Sequence, residues 1–421
     1  MNIPHSWVET TLDTVCDVIL GQSPPGSAYN ENRHGLPFFQ GKAEFGPLYP
    51  TARKWTTEGN KRAQPGDVLV SVRAPVGPTN LAPFRCVIGR GLAALRPTAV
   101  TTTRFVLYQI RATQDRLASI ATGSTFSAIS GDQLRNHRFV LPPLPEQERI
   151  VAAIEEQLSR LDTAEQLLDR VRRRSAQMRA AVLAQAVEAD WPVKPLGELL
   201  VSVRNGIFVS RPAPGPPGVP IFRISAVRPL QLDLSGIRYA PISLSEAHSY
   251  LLNAGDLLFT RYSGNPAYVG ACAVVPAHVT TVIHPDKLIR GVVDRSLVMP
   301  EFVAIAVNVG EGRRQIDERL KTTAGQVGIA GGQLKTVEIP IPPLKEQERV
   351  VAKVDHSLTI LDALATATDH ALLRSDHLRH SILERAFSGQ LVPQDSSDEP
   401  ASDLLARSAG KYTGQRRRQR A

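Results

Sequence analysis

Several residue groups in this chain approach catalytic or ligand-binding patterns, and each lacks a necessary part. Gly21-Gln22-Ser23-Pro24-Pro25-Gly26-Ser27 has the glycine spacing of a phosphate-cradling loop but no lysine to reach the phosphates. Gly89-Arg90-Gly91-Leu92-Ala93-Ala94 fits GxGxxA, yet it lacks an N-terminal βαβ unit and an acidic residue at ribose distance. His370, His377 and His380 fall on one expected helix without carboxylate or cysteine partners at ligand spacing, so they read as surface or seam residues. Cys16, Cys86 and Cys272 are scattered and odd in number, the pattern of reduced thiols in a cytosolic protein. The Asp/Asn-Pro-Pro-Tyr/Phe signature of amino-methyltransferases does not occur, nor does a convincing Pro-Asp…Glu-x-Lys nuclease pattern. No catalytic residue and no metal ligand set is therefore expected.

Binding chemistry is better represented. The chain has 421 residues and a net charge of +9, unevenly distributed. Residues 1–145 carry +6 and 189–345 carry +4, while 146–188 and 346–388 carry −1 and −2. Basic globular parts are the electrostatic footprint of a nucleic-acid partner. Within them, Gln40, Lys42, Arg223 and Ser225 follow matched strand-like runs where divergent loops begin. Arg73 and Arg261 follow a second matched pair of runs. These six are the candidate nucleic-acid contacts. No apolar run reaches the ~18 residues a membrane span needs. The first residues carry Glu9 and Asp13 rather than a basic-then-apolar leader, so a cytoplasmic protein is expected.

The elements that must position these residues come from a duplication. Pro142-Pro143-Leu144-Pro145-Glu146-Gln147-Glu148-Arg149 returns 200 residues later as Pro342-Pro343-Leu344-Lys345-Glu346-Gln347-Glu348-Arg349. Such a period is too long for a solenoid and marks a repeated domain-plus-helix module. Apolar residues then recur at threes and fours from Val151 through Ile154, Leu158, Leu161, Ala164, Leu168, Val171, Ser175 and Met178 to Val182. The second copy repeats this from Val351 to Ile382 through Leu364 and Leu378. That is one helical stripe with a stammer near Leu161 and Leu361. Each helix is expected to be roughly 60 Å long. The Glu-Gln-Glu-Arg helix starts, Glu146, Gln147, Glu148, Arg149, Glu346, Gln347, Glu348 and Arg349, are candidate partner-docking residues. The globular parts share landmarks: Trp7 and Trp191, Gly35–Gly41 and Gly218–Ile224, Gly66-Asp67 and Gly255-Asp256. Between landmarks they diverge, as two half-sites with different targets require.

The expected fold class is α+β multidomain. Two α/β-type domains are joined by two long helices packed as an antiparallel coiled coil, with an internal pseudo-two-fold repeat. The boundaries read as 1–141 and 189–341 for the domains, 142–188 and 342–390 for the helical regions, and 391–421 for a flexible tail. A fused methyltransferase or nuclease is disfavoured by the missing motifs, and a protein-only scaffold by the basic domains.

With two divergent domains, each followed by Pro-Pro-Leu-x-Glu-Gln-Glu-Arg and a long helix, the chain resembles the DNA specificity subunit of type I restriction–modification systems. The Trp7/Leu12 and Trp191/Leu196 openings fit, as do Gly123-Ser124-Thr125 and the ending Ala386-Phe387-Ser388-Gly389-Gln390-Leu391-Val392-Pro393. Thr323-Ala324-Gly325-Gln326 departs from the first-half loop. The resemblance implies two target-recognition domains, each reading half of a bipartite, asymmetric double-stranded DNA site. It implies helices that set the spacer and dock two methyltransferase subunits, which would carry S-adenosylmethionine. Restriction subunits using ATP and Mg would join where the system has them. The chain itself would hold no cofactor and catalyse nothing.

Overall fold

The computed structural model describes residues 3–122, 127–323 and 326–408. It divides into two units, Met1–Leu168 with His370–Ala421, and Asp169–Asp369. The loop Gly123–Phe126, the pair Ala324-Gly325 and the Arg416–Arg420 run of the sequence analysis lie outside the described residues.

In the first unit, strands β1 (Cys16–Leu20), β2 (Val68–Ser71), β3 (Thr79–Leu81) and β4 (Leu92–Pro97) form an antiparallel sheet of order β1-β4-β2-β3. All four residues of β2 are buried, so its Val-Leu-Val run is covered on both faces. Helix α1 (Thr103–Ala112) packs on this sheet. The Thr102 hydroxyl accepts the Phe105 N–H at 3.3 Å and caps the helix start. Phe105 meets Phe139 and Phe387 edge-on in the core. A second, five-stranded sheet pairs Leu36–Phe39 in parallel with Cys86–Ile88.

The second unit repeats the first sheet's order. Strands β5 (Leu200–Asn205), β6 (Leu257–Thr260), β7 (Cys272–Val274) and β8 (Leu288–Val293) run β5-β8-β6-β7. Helix α2 (Pro300–Asn308) opens with a proline, which has no N–H to leave unpaired at a helix start. Phe302 lies in its core against Trp191.

The matched Gly-Asp turns explain how both sheets begin their central strand. Asp67 accepts the Gln64 N–H at 2.8 Å and pairs with Arg96 on β4 at 2.8 Å. Asp256 accepts the Asn253 N–H at 2.6 Å and pairs with Arg290 on β8 at 2.7 Å. Both aspartates are buried. They are structural carboxylates, each neutralised by an arginine from the neighbouring strand. Gly35 and Gly218 hold positive φ in both halves. A Cβ there would lie 2.3 Å from Thr56 O and 2.4 Å from Ala240 O, so only glycine fits.

The long helices span Leu144–Gln185 and Leu344–Phe387. Within the first unit they run antiparallel: Arg379 pairs with Asp162 at 2.5 Å, and Ser375, one turn earlier, donates to Glu165 at 2.6 Å. In the second unit Arg179 pairs with Asp362. These are the same two positions displaced by one repeat, so each unit makes its own copy of one register-fixing ion pair. The expected stripe is corrected near mid-helix. Val171, Met178, Leu364 and Leu378 are exposed, while Ser175, Thr368 and Ser375 are buried. Ser175, Thr368 and Ser375 are themselves stripe positions, so beyond the stammer the small members of the stripe stay in the seam while its larger apolar members turn out.

The expectation of a flexible tail is corrected for 391–408. A helical turn run at 401–408 follows a loop whose Leu391 and Val392 pack on the first core. Ala401 is fully buried and donates its N–H to Ser6 O at 3.0 Å. The apolar Leu391, Val392, Leu404 and Leu405 pack, partly buried, against the first core. No helix among the described residues is long and apolar enough to cross a membrane.

Each unit buries one neutral histidine. His137 donates or accepts at Thr113 Oγ1 over 2.9 Å, and His284 meets Tyr250 O at 3.1 Å. Burial pushes both down to about 4. The unfolded chain, with histidines near 6.5, binds more protons than the native chain between about pH 6.5 and 4. Stability is thus fully present above about pH 6.5 and falls as pH drops, by about 1.4 kcal/mol per pH unit for each histidine. Urea midpoints at pH 7 and 5 measure this. The loss should shrink by about half in either His137→Asn or His284→Asn relative to its own pH 7 stability. An equal loss in both variants would rule these histidines out.

Candidate nucleic-acid interface

Three of the six candidate DNA contacts converge in the first unit. Gln40, Lys42 and Arg73 line one shallow cleft with Ser23, Ser71 and Arg90. Gln40 ends the strand Leu36–Phe39, Lys42 opens a short 3-10 turn, and Arg73 follows β2. The turn Gly89–Leu92 closes the cleft. Its Gly89 N–H donates to Phe39 O at 2.8 Å, and the Arg90 N–H donates to the Ser23 hydroxyl at 3.2 Å. A Cβ on Gly91 would lie 2.3 Å from Gln40 O, so the glycine permits this backbone approach. Lys42, Arg73 and Arg90 are exposed. Among the described residues none of them has a carboxylate within ion-pair distance. Glu44, the nearest in sequence, accepts the Gly41 N–H at 3.1 Å. Uncompensated cations around amide and hydroxyl groups suit a polyanion with readable edges.

Arg90 and Ser23 also line the cleft, and neither was among the candidates read from the sequence. Their signal was present, since both fall in the glycine-rich runs that failed as phosphate and dinucleotide loops. Gly21 and Gly91 instead serve close backbone packing, where a Cβ would fall 2.1 Å from Gly89 O and 2.3 Å from Gln40 O.

The second unit does not repeat this arrangement. Arg223 and Ser225 are exposed, Arg223 just before and Ser225 within a 3-10 turn at Ile224–Ala226. Arg261 is half-buried. Its guanidinium donates to Asp286 O at 3.3 Å and lies 4.9 Å over the Tyr262 ring. The pairing of Arg73 with Arg261 is a correction. Val72 N–H donates to Gly91 O and Val72 O accepts from Ile129; Arg261 N–H donates to Lys287 O and Arg261 O accepts from Ile329. The repeat therefore matches Arg261 to Val72 and Tyr262 to Arg73. One residue along a strand reverses the face, so the two arginines occupy opposite sides. Other cations of this unit lie on aromatic faces, Arg204 4.8 Å from Tyr250 and Arg228 4.4 Å from Tyr268.

Residues 4–173 match the model of a type I restriction modification DNA specificity domain. Over 96% of its length the chain is 28% identical to the EcoKI specificity subunit of Escherichia coli K12, covering 93% of that protein. It is 24% identical to the StySPI specificity subunit of Salmonella potsdam over the same share of both chains. Along nearly its whole length the chain is similar to type I restriction enzyme specificity subunits. The HsdS subunit from Thermoanaerobacter tengcongensis shares the fold, with a TM-score of 0.59 at 20% identity over 93% of this chain and 98% of that one. A specificity subunit recognises DNA sequence for its complex and is not the catalyst. The described residues hold no cluster of three or more potential metal ligands. Cys16, Cys86 and Cys272 are buried free thiols, and burial pushes Cys86 up to about 12.

The Glu-Gln-Glu-Arg helix starts are turned inward only in part, which corrects half of the docking set. Gln147 and Gln347 are fully buried. Gln147 donates to Val100 O at 2.9 Å and Pro142 O at 3.1 Å, and accepts from Thr101 Oγ1 and Thr102 N–H. Gln347 donates to Leu297 O and Pro342 O and accepts the Met299 N–H at 2.8 Å. Each glutamine ties a long helix to the segment before α1 or α2. Glu146 is also buried, accepting from Gln394 at 2.6 Å. Burial raises its carboxyl, against Trp7, Gln394 and Arg149. Arg149 is held by Asp398 at 2.6 Å. The C-terminal segment thus occupies what the sequence offered to a partner. Glu148, Glu348 and Arg349 stay exposed, and Glu346 pairs with Arg349 at 3.0 Å.

Proposed function

We propose that each unit reads one half of a bipartite, asymmetric DNA site and that the long helices fix the unspecific spacer between the halves. The exposed Glu148, Glu348 and Arg349, with the half-buried Glu346, remain the docking candidates for two methyltransferase subunits. Those subunits carry S-adenosylmethionine and methylate adenine, and restriction subunits using ATP and Mg join where the system has them. The complex works in the cytoplasm. The observation that carries this reading is the cleft of the first unit, where Lys42, Arg73 and Arg90 meet Gln40 without carboxylates. Cations fix the protein on phosphates, and the amide and guanidinium groups discriminate base edges. The diverged second unit supports a different target for the other half.

Adenine-methylation mapping of host DNA with and without the gene tests this. Loss of a single two-part methylated motif on deletion is the expected result, and an unchanged methylome in an expressing strain would sink the reading. Binding of the assembled complex supplies a second check. Lys42→Ala should weaken affinity evenly across sequences and reduce the salt slope by about one, as loss of a phosphate contact does. An unchanged slope would remove Lys42 from the interface.

A further inference from the structure

The turn that closes the first cleft has a counterpart in the second unit, fixed by matched backbone bonds. In the first unit Gly21 N–H donates to Leu92 O, Gln22 N–H to Ile88 O, Leu92 N–H to Gly89 O, and Val72 N–H to Gly91 O. In the second, Gly206 N–H donates to Leu288 O, Ile207 N–H to His284 O, Leu288 N–H to Pro285 O, and Arg261 N–H to Lys287 O. Four bonds of one pattern place Gly89–Leu92 on Pro285–Leu288. They set Arg90 and Asp286 at the same position of the same turn. Neither pairs with an opposite charge among the described residues. One unit therefore presents a guanidinium where the other presents a carboxylate.

Resting on the DNA-reading function proposed above, we infer that this turn is a base-reading position in both units, with Arg90 selecting guanine and Asp286 selecting cytosine. Arg90 offers the planar two-donor fork that matches O6 and N7 of guanine, while a carboxylate accepts from the N4 amino group of cytosine. A carboxylate repels phosphates, so Asp286 contributes to affinity only against a base edge that donates. That constraint argues against both turns being general phosphate contacts. Arg90 is steadied by its own N–H on Ser23 and by the Gly91–Gln40 backbone contact. Asp286 is steadied by its N–H on Ile207 O at 2.9 Å and by Arg261 on its carbonyl.

The test maps methylated motifs in cells carrying the full system with wild-type chain, Arg90→Ala, Arg90→Lys or Asp286→Ala. Both Arg90 variants should relax one guanine of one half-site by roughly five- to a hundred-fold, because lysine keeps the charge but loses the fork. Asp286→Ala should relax one cytosine of the other half-site. The untouched half-site in each variant reports folding and assembly. Unchanged motifs in all three variants, or weakening in every sequence context alike, overturn the inference while leaving the function standing. A wild-type chain that directs no two-part motif overturns the function and this inference with it.

Discussion

Gln147→Ala is expected to destabilise the first unit by about 3–5 kcal/mol, as several buried groups lose partners together. The side chain sits between two carbonyls and two donors, with Val100 O, Pro142 O, Thr101 Oγ1 and Thr102 N–H all satisfied by one amide. Alanine leaves those groups in a site closed to water, and each costs about 1–3 kcal/mol. Gln347→Ala should cost the second unit somewhat less, since three bonds are lost there. Gln147→Glu should be worse than alanine at neutral pH, because a buried carboxylate would face two carbonyl oxygens. Urea unfolding followed by tryptophan fluorescence measures this, with Trp7 and Trp55 in one unit and Trp191 in the other. A wild-type midpoint combined with lost methyltransferase binding would return Gln147 to the docking set.

The Gln147 case shows which features the sequence made legible. Repetition of Glu-Gln-Glu-Arg revealed the duplication, the helix starts and the family, because two copies of one local solution are visible without a fold. Which of the four side chains turned inward was not visible. A helix start alternates buried and exposed positions over one turn, and the burying partners, Val100 and Leu297, lie some fifty residues upstream. The docked tail was hidden for a similar reason. Its few apolar residues make no periodic pattern, and their partners stand at the opposite end of the chain, as with Ser6 and Ala401. The Arg73–Arg261 mismatch came from aligning by residue type. A one-residue slip costs nothing in sequence and reverses a side chain in a strand. Gln40, Lys42 and Arg73 share a cleft because the ends of strands from two different sheets, Leu36–Phe39 and β2, meet there.

Four-residue insertions in both long helices, after Leu168 and after Asp369, should lengthen the spacer of the methylated motif by one or two base pairs. Four residues add about 6 Å and about one helical turn, so the faces of each helix stay nearly aligned. On DNA, 6 Å is close to two base-pair steps of 3.4 Å. The insertion sites fall between Asp162 and Arg179 in one helix and between Asp362 and Arg379 in the other. Asp162–Arg379 and Asp362–Arg179 can therefore both persist when the helices lengthen together. An insertion in one helix alone cannot keep both pairs in register. It forces a bulge or breaks one ion pair and its flanking seam, and such a variant should lose directed methylation. The ion pairs themselves contribute little, since Asp162 and Asp362 are more than half exposed. What they report is register. Methylation mapping distinguishes the cases: an unchanged spacer in the double insertion would refute the ruler, and full activity in a single insertion would refute the fixed register.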